Sequence, residues 1–143
     1  MKHVYMDTNV VIDLLANRQP FSSDTAKLFD MAVNNKIRIY ISALSYSNIY
    51  YIVKRSLSLN NVAMTTLLEE LFEMTEIVDV TKSIILKSLK AGFADYEDAI
   101  QYYSAISVEE ISMIITRNGK DFKKSALAIL TPAEAFVSLK QLQ

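Results

Sequence analysis

Five short apolar runs punctuate the chain, at 3–7, 37–42, 76–80, 112–116 and 127–130. All but the last two are separated by stretches of helical period. Strands this short and this apolar bury both faces only inside a sheet that is covered above and below. Helices between them supply the cover and the crossovers. The pattern predicts an α/β fold, a three-layer α/β/α sandwich around a mostly parallel central sheet of five strands. No repeat, low-complexity tract or linker divides residues 1–143, so a single domain is expected.

Local signals set the helices. NVVIDLLA (9–16) follows Asp7 or Thr8 as cap, and Arg18-Gln19-Pro20 breaks it. SSDTAKLFDMAVNN (22–35) reads as a helix capped by Ser22 or Ser23, with Ala26, Phe29 and Val33 on one face. Helices are also expected over 43–57, 60–74 and 95–107. Thr81 and Gly92 bracket another, and Pro132 opens the last at its first position.

Several chemistries are excluded by what the chain lacks. It has no cysteine and one histidine, His3, expected to be a surface residue near the start. Disulfides, thiolate nucleophiles, Ser-His-Asp triads and two-histidine metal sites are therefore out of reach within one chain. Two glycines, Gly92 and Gly119, cannot build a phosphate-cradling loop. The start, MKHVYMDTNVVIDLL, is too acidic for a signal peptide, and no run approaches the roughly 20 apolar residues of a membrane span. A cytoplasmic protein is expected, and carboxylates are its main chemical tools.

Those carboxylates gather at loop-side ends of elements. Asp7 ends the first strand, Asp121 follows the fourth, and FADYEDAIQYYSA (93–105) opens a helix with Asp95, Glu97 and Asp98. Two carboxylates at about 4 Å repel by roughly 1 kcal/mol in water and about 4 kcal/mol near a protein surface. Each acid taken singly reads as a cap or helix-dipole partner, worth roughly 0.3–1 kcal/mol. Taken together, without a matching cation nearby in sequence, they suit a hard divalent ion such as Mg²⁺ or Mn²⁺. Asp95 and Asp98, three apart, share a helix face; Glu97 points about a quarter-turn aside and reads equally as a helix-face charge.

MDTNVVIDLL (6–15), SALSYSNIYYIV (42–53), DYEDAIQYYSA (95–105) and TRNGKDF (116–122) resemble, in order and spacing, the successive motifs of a PIN domain. Many PIN domains are Mg²⁺- or Mn²⁺-dependent ribonucleases, and many bacterial ones are toxins of toxin–antitoxin pairs, such as the VapC type. The resemblance implies Asp7, Asp98 and Asp121 as metal ligands and Asp95 as an accessory acid. It implies that Thr8, Asn9, Thr116 and Asn118 orient the acids and the attacking water. It also implies cleavage to a 3′-hydroxyl and a 5′-phosphate, an antitoxin partner and a homodimer. One position departs from the pattern: Asn48 stands where such domains usually carry a glutamate. An amide can ligate through oxygen but brings no charge, so metal affinity is expected to be lower.

A net charge of −1 announces no global nucleic-acid surface. Lys54, Arg55, Arg117, Lys120, Lys123 and Lys124 could flank the acids and hold RNA phosphates, or form solvated charge runs. Tyr46, Tyr50, Tyr51, Tyr102 and Tyr103 could stack on bases, although helical spacing sends at least half of them into packing. The expected function is a metal-dependent endoribonuclease, with a catalytically weakened RNA- or protein-binding module as the alternative. A haloacid-dehalogenase-like phosphatase would need D-x-D where Asp7-Thr8-Asn9 stands. A receiver domain would need its acids in another order.

Overall fold

The structure, a computed structural model, describes residues 1–122 and 125–141, the side chain of Asp121 excepted. Its core is a five-stranded sheet built from β1 (Lys2–Met6), β2 (Ile37–Ser42), β3 (Glu76–Val78), β4 (Ile111–Ile115) and β5 (Ala128–Leu130). Every pairing is parallel, in the order β3-β2-β1-β4-β5. The helices are α1 (Thr8–Leu15), α2 (Ser22–Val33), α3 (Ala43–Ser56), α4 (Asn61–Met74), α5 (Lys82–Lys90), α6 (Tyr96–Ile106) and α7 (Pro132–Lys140). The expected sandwich is the observed one.

The two-residue period of the strands sorts side chains to the two faces. Val4, Met6, Ile37, Ile39, Ile41, Met113 and Ile115 pack with α1, α2, α3, α4 and α7. Tyr5, Val78, Ile111 and Ile114 form the opposite core, with Phe93, Ala105 and Tyr102 from the α6 side. Ile111 and Met113 fall on opposite faces because the β1–β4 register shifts between His3 and Val4.

Caps explain most helix starts. Asp7, Ser42, Asn60, Thr81, Asp95 and Thr131 each accept a backbone N–H from the first turn. Thr131 and Glu134 complete a capping box, and Pro132 takes the first position. Gly92, at φ +71°, sits two residues beyond α5 in the left-handed region.

Three expectations are corrected. The N-cap of α2 is Phe21, with no side-chain cap bond, so Ser22 falls inside the first turn. There its hydroxyl turns back to donate to Asn17 Oδ1 at 3.0 Å. The inward stripe of α2 runs through Thr25, Leu28 and Phe29, which leaves Val33 outside it at 61% exposure. His3 is half-buried, its Nδ1 bonded to the Tyr40 hydroxyl at 2.8 Å.

Candidate active site

From β1 the chain winds outward through β2 to β3, then returns to β4 on the other side of β1. The β1–β4 seam is therefore the topological switch point, where open parallel sheets hold their sites beyond the carboxyl ends of the strands. Asp7 and Thr116 are the first residues past those two ends. The Asp7 N–H donates to Ile115 O at 3.0 Å, and the Thr116 N–H to Leu130 O at 3.0 Å, so each strand end is fixed by its neighbour. The Thr116 hydroxyl donates to Asp7 Oδ2 at 2.9 Å. The Thr8 N–H donates to Oδ1 at 2.8 Å.

These bonds hold an acid that is 5% exposed. Burial pushes the Asp7 carboxyl up to about 6; the Glu97 charge adds to the rise, while Thr116, Thr8 and Arg117 oppose it. Asp7 is thus an acid whose charge the site accommodates poorly by itself.

The facing wall is the first turn of α6. Asp95 Oδ1 accepts the Glu97 N–H at 2.9 Å, which caps the helix. Single carboxylate oxygens of Asp95, Glu97 and Asp98 lie within 4.8 Å of one another. Glu97, which read equally as a site acid and as a helix-face charge, makes its contacts toward the site. It is half-buried, accepts from Gln101 Nε2 at 2.8 Å and acts electrostatically on Asp7.

Gln101 was not among the expected site residues, yet it joins four elements. It is fully buried. The Tyr5 hydroxyl donates to its Oε1. Burial pushes the Tyr5 hydroxyl far up, with the Asp7 and Glu97 charges adding, so the phenol stays protonated and must donate. That choice turns the amide: Nε2 faces Glu97, Thr8 Oγ1 at 3.1 Å and Ser45 Oγ at 3.2 Å. Ser45 and Thr8 bond each other at 2.7 Å, and Ser45 bonds Ser42 at 2.9 Å. The available sequence signal was a glutamine four residues after Glu97, on a helix face otherwise filled by Ala105 and Ser104.

The remaining expected residues divide. Asn48 is half-buried on α3, three residues past Ser45 and so on the same side of the helix. Asn9 and Asn118 are exposed, and the Asn118 N–H donates to Thr116 Oγ1 at 3.2 Å. Thr8 meets Asp7 through its backbone, while its hydroxyl serves Ser45 and Gln101. Asp121 lies in a 3-10 turn, Gly119–Phe122, that also carries the exposed Lys120. The Asp121 side chain, Lys123 and Lys124 lie outside the described residues.

Lys54 and Arg55 occupy the last turn of α3, about 15 Å along the axis from Ser45 at about 1.5 Å per residue. The structure does not bring them to the acids. Arg117 is taken up by Asp13: its Nε lies 2.8 Å from Asp13 Oδ2. Among the tyrosines, Tyr51 is 65% exposed. Tyr46 bonds Thr75, Tyr50 bonds Asn61, and Tyr102 and Tyr103 pack against Phe93.

Hard oxygens sharing one Mg²⁺ at about 2.1 Å stand roughly 3–4 Å apart. The spacing of Asp95, Glu97 and Asp98 is within a small side-chain adjustment of that range. The all-oxygen donor set, with a buried acid facing it, fits a hard divalent cation.

A family profile described as PIN domain matches residues 3–120. No curated protein sequence matches the chain. Solved structures share its fold. One is VapBC2 from Rickettsia felis bound to a DNA fragment from their promoter, with TM-score 0.62 and 20% identity over 90% of this chain and 96% of that one. A toxin–antitoxin complex from Klebsiella pneumoniae has TM-score 0.62 and 21% identity, over 92% and 98% of the two chains. FitAB bound to a DNA fragment has TM-score 0.63 and 17% identity, over 91% and 95%.

Proposed function

The chain belongs to the PIN domain family, and from that membership we propose a divalent-metal-dependent endoribonuclease that acts in the cytoplasm as the toxin of a toxin–antitoxin pair. The observation that carries this reading is Asp7. It is a buried carboxyl at the switch point, held by Thr116 and Thr8, and it faces further acids on α6. A buried acid beside like charges is costly unless something cationic offsets it.

In this reading Asp7, Asp98 and Asp121 hold Mg²⁺ or Mn²⁺, with Asp95 as accessory acid and Asn48 at the rim. Bound there, the ion would supply an activated water and neutralise charge developing on the phosphodiester. The chain's own contributions are positional. Thr116 and the Thr8 N–H fix both oxygens of Asp7, so one carboxylate geometry is presented. Gln101 Nε2 holds one oxygen of Glu97. Asn9 and Asn118, exposed beside these groups, are the amides assigned to orienting substrate or water. Lys120 is the cation assigned to an RNA phosphate.

An antitoxin partner is supported by the toxin–antitoxin complexes among the structures with this fold. Self-association is supported by exposed apolar side chains on the α3–α4 pair, among them Tyr51, Val62 and Phe72.

The test is cleavage of labelled single-stranded RNA in Mg²⁺ and in Mn²⁺, beside Asp7→Asn and Asp98→Asn. Cleavage that requires metal and is lost in both variants is the expected result. Asn48 favours a second reading, a PIN-fold binding module, because an amide lowers the charge available to a cation. RNA binding without cleavage in either metal would select it.

A further inference from the structure

Asp13 is 1% exposed; burial pushes its carboxyl up, and Arg117 and Arg18 oppose the rise. It lies on α1 six residues after Asp7, on the same helix that Asp7 caps. Two arginines face it. Arg18 Nη1 stands 3.8 Å from Oδ1, and Arg117 approaches with both Nε, 2.8 Å from Oδ2, and Nη2, 3.4 Å from Oδ1. The Nε contact lies outside hydrogen-bond geometry, but with Nη2 on the other oxygen the planar guanidinium engages both oxygens of Asp13. The guanidinium is also centred 4.2 Å from the Phe21 ring. Its side chain is 29% exposed.

Burying an ion pair across 104 positions of sequence is a poor route to stability, since desolvation offsets most of the attraction. Its geometric consequence is clear. Arg117 directly follows Thr116, whose hydroxyl holds Asp7 and whose oxygen accepts the Asn118 N–H. The loop after β4 is thus tied to α1 at two points, Thr116 on Asp7 and Arg117 on Asp13. The same loop leads into the turn that carries Lys120 and Asp121.

We infer that Asp13 and Arg117 form a clamp of positioning residues that sets the Thr116–Asp121 loop against Asp7, and that Arg117 does not serve as a contact to nucleic acid. The effect on cleavage rests on the ribonuclease reading above; the effect on the loop does not. A clamp acts as a unit, so breaking either partner has the same consequence and breaking both adds little.

The experiment compares Asp13→Asn, Arg117→Gln, Arg117→Lys and the Asp13→Asn/Arg117→Gln double variant. Amide hydrogen exchange over residues 116–120 is read in the metal-free protein, and kcat and KM on single-stranded RNA in Mg²⁺ or Mn²⁺. The clamp predicts faster exchange in that loop in every variant, alike in the single and double variants. It predicts kcat lower by roughly 10- to 100-fold, the scale of an ångström-sized misplacement, with KM within about twofold of wild type. Arg117→Lys, which keeps the charge but loses the planar fork and the stacking on Phe21, fails with the others. If Arg117 instead binds RNA, Arg117→Gln raises KM, Arg117→Lys largely restores it and Asp13→Asn is silent; that pattern overturns the clamp. Unchanged loop exchange in all variants overturns it as well. Absence of cleavage by the wild type in both metals removes the ribonuclease reading, while loop exchange still decides the clamp.

Discussion

Asp7 carries a cost that pH can expose. Its carboxyl titrates at about 6 in the fold, against 3.8 ordinarily, chiefly because it is buried. Between those values the folded state holds the extra proton. The contribution to stability is therefore fully present below about 4 and lost as pH rises through about 6. That rise in pKa is worth about 3 kcal/mol. Metal-free Asp7→Asn is expected to unfold at higher urea than wild type at pH 8, by up to about 3 kcal/mol, with the gap closing toward pH 4. A lower midpoint for the variant at pH 8 would show that the two hydrogen bonds to Asp7 outweigh its desolvation. Gln101 gives the opposite kind of test. Gln101→Leu strands the buried Tyr5 hydroxyl and removes a donor from Glu97, at a cost of about 1–3 kcal/mol in urea unfolding. Adding Tyr5→Phe should recover part of that loss, because both partners are then apolar. Strict additivity would mean that the amide and the phenol do not act together.

At the scale of the element, the opening of α6 answers the crowding of Asp95, Glu97 and Asp98. One acid caps the helix and all three sit where its dipole favours negative charge. Local helix chemistry accounts for part of the crowding; Glu97 facing Asp7 is not needed by the helix at all. The two roles separate in Asp95→Asn. Asparagine caps as well as aspartate, so stability in metal-free buffer should change by less than about 0.5 kcal/mol. The rise in melting temperature on adding Mn²⁺ should shrink, because a nearby charge has gone. Full retention of that rise would confine Asp95 to capping. Thr131→Ala, at the capping box of α7, is the contrasting case: about 1 kcal/mol of stability lost, and the Mn²⁺ response kept.

At the scale of the molecule, the sheet order decides what can meet. β1 and β4 are about a hundred residues apart in the chain and adjacent in the sheet, and their carboxyl ends deliver Asp7 and Thr116 to one point. The outer surface of the α3–α4 pair is a separate matter. Val62 is 76% exposed and Phe72 55% exposed. If a second copy covers them, Val62→Glu with Phe72→Glu should convert a dimer to a monomer in sedimentation and abolish any dependence of the melting temperature on protein concentration. A monomeric wild type would leave those side chains to another partner.

The order of strands and helices, the caps at Asp7 and Thr81, and the position of Asp7 past β1 were legible in the sequence. They depend on contacts within a few residues: apolar period, first-turn hydrogen bonds, the fixed φ of Pro132 and the left-handed Gly92. The error at Ser22 was a shift of one residue, within the same local physics. What tertiary structure alone decided is which polar side chains share a space. Nothing near Gln101 in sequence announces Tyr5, Thr8 and Ser45 as its partners. Arg117 reads as a basic residue beside lysines until the fold sets Asp13 against it. A charge or an amide carries no sequence mark of its partner, because its partner is chosen by the crossovers of the sheet and by the cost of leaving it buried alone.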